Sequence, residues 1–75
     1  MSNIILILQD KNIEIKLYKR FFYIKTQHED RIISYRYIKA MYIHKDIKVD
    51  FKILLKLSSY FEIHKIDTNG NIVIK

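Results

Sequence analysis

The stretch Asp50-Phe51-Lys52-Ile53-Leu54-Leu55-Lys56-Leu57-Ser58-Ser59-Tyr60 is where the apolar residues of this chain change period. Phe51, Leu54, Leu55 and Ser58 fall at i, i+3, i+4 and i+7, the spacing of one helical face. Asp50 suits an N-cap, because its carboxylate can accept an orphan backbone N–H and favours the positive end of the helix. Lys52 and Lys56, four apart, then lie on the wet side. The pattern predicts one helix over residues 50–60.

Outward from that helix the period is two, as strands with one wet face require. Residues 3–8 (NIILIL) are apolar on both faces, which reads as a strand covered on both sides or lying at an interface. Gln9-Asp10-Lys11-Asn12 is a turn signal, and residues 13–17 alternate cleanly, so the two segments are expected to pair as a hairpin. Residues 21–25 form an aromatic strand, Gln27-His28-Glu29-Asp30 a second turn, and residues 31–35 a short strand. After Tyr35-Arg36-Tyr37 come a strand at residues 40–44 and a short extended piece at 47–49. Beyond the helix, residues 61–66 and 71–74 read as strands joined by Asp67-Thr68-Asn69-Gly70. Gly70 is the single glycine, and a four-residue hairpin loop commonly needs one residue at positive φ. The expectation is an α+β fold, mainly β: seven short strands in a largely antiparallel arrangement, with one helix, forming one domain over residues 1–75.

Size and composition exclude several classes. Seventy-five residues, 49% hydrophobic, are one domain and too apolar for disorder. The absence of Cys excludes a disulfide scaffold and thiolate metal sites. The longest apolar run, Ile4 to Leu8, is far short of the roughly 20 residues of a spanning helix, and no signal-peptide pattern is present, so no membrane and a cytoplasmic location are expected. Below roughly 70–80 residues a domain usually needs a staple or a partner. Sixteen Ile, six Leu and four Phe are a large load for so small a body, so part of it is expected to be buried against another chain. Ile5, Ile7, Phe22 and Ile24 are the residues assigned to that interface.

The formal net charge is +6. Excess charge of this sign suits a polyanion. Eleven Lys to three Arg, beside abundant Ile and a single Ala, is equally what AT-rich coding produces, so the total charge decides nothing alone. Two basic-aromatic clusters are more specific: Tyr18-Lys19-Arg20-Phe21-Phe22-Tyr23-Ile24-Lys25 and Tyr35-Arg36-Tyr37. Lys and Arg neutralise phosphates and aromatic rings stack on exposed bases. Lys19, Arg20 and Arg36 are therefore the candidate nucleic-acid residues. In the competing arrangement alternate aromatics face the core and the cations simply point to water.

From Ile33 onward the order of residue types resembles a known family. Ile33-Ser34-Tyr35-Arg36-Tyr37-Ile38-Lys39-Ala40-Met41-Tyr42-Ile43-His44 leads into Ile47-Lys48-Val49-Asp50, the helix, and Phe61-Glu62-Ile63-His64-Lys65-Ile66-Asp67-Thr68-Asn69-Gly70. This resembles the N-terminal β-domain of the CRISPR-associated spacer-acquisition integrase, where a segment like IPLEDIxEIxIFG precedes VSLST, a short helix and a strand ending VxFxDxxG. Ile33, Ile38, Met41 and Ile43 take the apolar positions, and Asp67 with Gly70 matches the last turn. The sequence departs from the pattern at Ser34, Lys45 and Tyr60, where the family has Pro, Gly and Gly. The resemblance implies a β-sandwich-like scaffold that pairs subunits and helps hold spacer-precursor DNA. In that family the metal-dependent chemistry belongs to a separate helical domain, so no catalytic residue carries over. A chain ending with its last strand also looks like a domain cut from something longer.

No residue set here calls for catalysis. His28, His44 and His64 lack ligand spacing, and His44 with His64 could approach only from neighbouring strands on one face. Glu29-Asp30 reads as a solvated turn pair and Ser58-Ser59 as helix-end polar residues. One glycine cannot make a phosphate-cradling loop. The expectation is a non-catalytic scaffold domain with no cofactor, metal or small-molecule substrate. Its partners would be a second copy or other integrase subunits, and double-stranded DNA. The alternatives are a stand-alone interaction module that binds or blocks a full-length integrase, and a generic nucleic-acid-binding β-domain.

Overall fold

The alternating segments and the one helical segment become six strands and one α-helix in the computed structural model, which describes residues 3–73. The strands are β1 (Ile4–Leu8), β2 (Glu14–Leu17), β3 (Phe21–Lys25), β4 (Asp30–Ser34), β5 (Ile38–His44) and β6 (Glu62–Ile66), with α1 at Phe51–Ser58 and a single 3-10 turn at Tyr35–Tyr37. The fold is α+β, mainly strands, with two sheets and one helix.

Asp50 caps α1 as its position predicts: its Oδ1 accepts the backbone N–H of Lys52 at 2.8 Å. The helix turns a different face to the core from the one its spacing suggests. Leu57 is fully buried, with Ile53 and Leu54 partly buried against the same cluster, whereas Phe51 is 73% and Leu55 61% exposed. Ile53 and Leu57 are four apart and Leu54 adjoins them, so they form an equally regular stripe. Two apolar stripes compete on this short helix, and only packing chooses between them.

The sheets differ in kind. β2, β3 and β4 form an antiparallel meander with registers Leu17↔Phe22 and Phe22↔Ile33. β1, β5 and β6 form a wholly parallel sheet in the order β1-β5-β6. This corrects the antiparallel expectation, and with it the hairpin of the first two strands, which lie in different sheets. The reason is topological. A helix between β5 and β6 is the crossover that parallel neighbours require, and the meander serves as the long connection from β1 to β5. The seventh strand is also absent among the described residues. Residues 71–73 make only an isolated bridge, Ile66↔Ile72, and Ile74 lies outside the described residues. Val73 N–H donates to the Lys65 carbonyl at 2.8 Å, so this return still covers the outer edge of β6. Gly70 takes φ +84° in the turn before it, as a lone glycine there should. The extended piece at 47–49 joins no strand.

One core fills the space between the sheets and under α1. Phe22, Met41 and Leu57 are its fully buried centre, joined by Leu6, Leu8, Ile24, Ile33, Ile38 and Ile43. A bulge helps to set it. Ile4 pairs with Ile38 but Ile5 with Ala40, so Lys39 has no partner and the phase of β5 shifts by one. Ile38 and Met41 can then both face inward. Phe22 (0% exposed) and Ile24 (2%) are core residues of the single chain, which corrects their assignment to an interface with another. They sit at the positions of β3 that alternation turns toward the parallel sheet. Ile5 and Ile7 face the other way and are 51% and 60% exposed.

Candidate nucleic-acid interface

Lys19 and Arg20 form the two-residue tip of the β2–β3 hairpin, closed by the Tyr18 N–H donating to the Phe21 carbonyl at 2.9 Å. Two-residue tips favour turns with positive φ, yet no non-glycine residue here has one among the described residues. The rings flanking the tip strap it instead: Tyr18 and Phe21 stack with centroids 5.0 Å apart.

Tyr35, first residue of the 3-10 turn, holds this tip from the side. Its N–H donates to the Arg20 carbonyl at 3.3 Å and its phenol O–H to the Tyr18 carbonyl at 2.6 Å. Burial raises the Tyr35 phenol above its usual value. Arg36 follows at once and lays its guanidinium 5.1 Å from the centre of the Tyr37 ring, a cation–π distance. The turn therefore places Arg36 beside Lys19 and Arg20.

The helix supplies the last wall. At its C-terminal end the Tyr60 N–H donates to the Leu57 carbonyl at 2.9 Å, which turns the Tyr60 ring flat onto Tyr35. The result is a hollow of about 370 Å³ lined by Lys19, Arg20, Ser34, Tyr35, Arg36 and Tyr60. All three sequence-assigned cations meet there although they come from two segments sixteen positions apart. None of the lining residues is acidic. The C-terminal end of α1 contributes a partial negative charge of about half a unit, which three full cations outweigh.

Sequence reading missed Tyr60. Its neighbours are a helix end, and nothing local relates it to Tyr35, twenty-five positions earlier. The only hint was an aromatic residue on a surface-facing helix terminus.

The histidines do not form a centre. β5 and β6 are neighbours in register Tyr42↔His64, so His44 and His64 share a face, with the Tyr42 ring 5.3 Å from His64. Each instead meets a nearby carboxylate: His44 Nδ1 lies 3.7 Å from Asp46 and His64 Nε2 3.7 Å from Glu62. His28 sits in the 26–29 turn, its N–H donating to Thr26 Oγ1 at 3.3 Å. Among the described residues no three or more His, Cys, Asp or Glu side chains are grouped to hold a metal ion. Among the same residues no helix is long and apolar enough to cross a membrane. Ser58 and Ser59 bond back to the Leu55 and Lys56 carbonyls, as helix-end hydroxyls do.

No protein-family model, curated protein or solved structure matches the chain.

Proposed function

We propose that this chain is a non-catalytic scaffold domain that pairs with a second copy through the outward face of its parallel sheet. The observation that carries this reading is the exposure of Ile5 and Ile7 on β1, an edge strand with no partner on its outer side among the described residues. Parallel sheets are normally covered on both faces. Here both crossovers lie on the inner face, and on the outer one Ile5 and Ile7 stay exposed while Ala40 and Ile66 of the same face are buried. An apolar edge is a template for pairing, and no charge or proline on the five-residue β1 blunts it. In a chain of net charge +6, this face carries the Glu62 carboxylate, with the exposed Lys39 at the bulge beside Ala40. Sedimentation of the full chain at micromolar concentration tests it: a dimer is expected, and a single-chain mass throughout removes the reading.

The basic hollow favours a second component of the same reading, the holding of nucleic-acid backbone by Lys19, Arg20 and Arg36. In the form that the resemblance implies, the paired subunits belong to a spacer-acquisition integrase and the polyanion is spacer-precursor DNA. The order of elements over residues 33–74 supports that form: strand, capped helix, strand and a glycine turn follow one another as in the family pattern, as far as Val73.

A further inference from the structure

Three rings run from the centre of the core to the basic hollow. Phe22, fully buried, stacks on Tyr35 at 5.6 Å and 15°, and Tyr35 stacks on Tyr60 at 4.0 Å and 2°. Tyr35 is closed on both faces, by Phe22 and by Tyr60. Tyr60 is the terminal ring of this run and is 45% exposed. Tyr60 also borders the hollow that Lys19, Arg20 and Arg36 line. A flat ring carrying negative charge is the chemical continuation of this arrangement.

We propose that Tyr60 is the stacking face for one unpaired nucleobase whose adjoining phosphates are held by Lys19, Arg20 and Arg36, so that the hollow takes single-stranded nucleic acid in preference to duplex. The proposal rests on the nucleic-acid component of the function given above and puts a single strand in place of the duplex that the resemblance implies. Four observations favour it. The platform is rigid, because Tyr35 is locked by two backbone-directed hydrogen bonds and backed by Phe22. Little conformational freedom is therefore lost when a fourth ring arrives. The hollow falls within the roughly 300–1,000 Å³ range of small-molecule sites, room for one base and its phosphate. In a duplex the base faces are already stacked on one another, so they are not offered to Tyr60. Finally, stacking is indifferent to base identity while cations follow the backbone, which suits a scaffold that reads no sequence.

The test uses the full chain and a short thymidine oligomer carrying one 2-aminopurine, whose fluorescence falls when it stacks. Comparators are the same oligomer with an abasic site at that position, its duplex, and an acidic peptide containing one tyrosine. Binding with quenching is expected for the single strand. Affinity for the abasic oligomer should be lower by roughly 5- to 150-fold, the range of one base–aromatic stack. Tyr60→Phe keeps binding and quenching, and Tyr60→Leu binds the intact oligomer as the native protein binds the abasic one. Equal affinity for intact and abasic strands without quenching overturns the stacking proposal while leaving the phosphate component standing. A preference for the duplex or for the peptide also overturns it. Failure of the native protein to bind any nucleic acid removes the phosphate component, and this proposal with it. The abasic comparison needs no variant, so a misfolded mutant cannot obscure the answer.

Discussion

The Tyr35 ring lies flat on Tyr60 at 4.0 Å while its phenol O–H donates to the Tyr18 carbonyl at 2.6 Å. One side chain thus ties the β2–β3 hairpin, the 3-10 turn and the end of α1 together. The hydrogen bond and the ring contribute separately. Tyr35→Phe keeps the stack and leaves the Tyr18 carbonyl without that donor, a loss of about 1 kcal/mol. Tyr35→Ala removes a buried aromatic between two others, and large-to-small aromatic truncations cost about 3–5 kcal/mol. Urea unfolding of the two variants should separate these values, and nearly equal losses would mean that the ring contributes little beyond its hydroxyl.

Alkaline stability follows from the same residue. Burial holds the folded-state Tyr35 phenol above the ordinary value of about 10. Below pH 10 both the folded and unfolded phenols keep their proton, so Tyr35 adds no slope. Above it the unfolded chain loses the proton first, the folded state binds more protons, and stability must fall as pH rises. Tyr23, raised by desolvation and by Asp30 nearby, acts in the same direction. Unfolding free energy measured from pH 8 to 11 should therefore decline beyond about pH 10. The decline should be shallower in Tyr35→Phe, and a parallel decline would assign the effect elsewhere.

Local signals in the sequence were reliable where the physics is local. The cap at Asp50, the helix over Phe51–Ser58 and the positive φ of Gly70 each depend on a few adjacent residues. β3 was readable for the same reason, since its alternation is undisturbed. Pairing was not readable. β1 finds its partner in β5, more than thirty positions on, while a turn signal at residues 9–12 advertised a hairpin with β2. The change of period between β5 and β6 carried the correct information, because a helix between two strands implies a parallel pair. The candidate site divides in the same way. Lys19, Arg20 and Arg36 stand out by composition, but Tyr60 reaches them only through tertiary packing.

The Asp50 cap should be measurable against this background. Its carboxylate satisfies the Lys52 N–H at 2.8 Å at the start of an eight-residue helix. A helix so short depends heavily on its ends and its packing. Asp50→Ala should cost about 1 kcal/mol and Asp50→Asn much less, because the amide oxygen can still accept. Equal losses in the two variants would point to charge at the helix end instead of the hydrogen bond.

Reversal of charge at the hairpin tip tests the anion site independently of any ring. Lys19→Glu with Arg20→Glu turns two of the three cations lining the hollow into carboxylates. Each phosphate neutralised contributes a slope of about 0.7 in log affinity against log salt for single strands, so three contacts give about 2. The native chain should show that slope, and the double variant should bind weakly with a flatter one. Thermal unfolding should barely change, since both residues sit at an exposed turn. An unaltered salt slope would remove Lys19 and Arg20 from the binding surface.

Pairing through the parallel sheet makes the sharpest demand on Ile5 and Ile7. Both side chains point away from the core, so Ile5→Lys with Ile7→Lys should leave the fold and the hollow intact. A standard interface removes about 800 Å² from each partner, more than the bare face of three short strands alone supplies. Edge-to-edge pairing of β1 strands would add backbone hydrogen bonds to the contact that the outer faces make. Two lysines on each edge would then confront two on the other, and like charges directly opposite are destabilising. The variant should sediment as a single chain at concentrations where the native protein is a dimer, with unchanged circular dichroism. A dimer that survives the double substitution would move the interface to another exposed apolar site, such as Phe51 with Leu55 on α1 or Ile32 on β4.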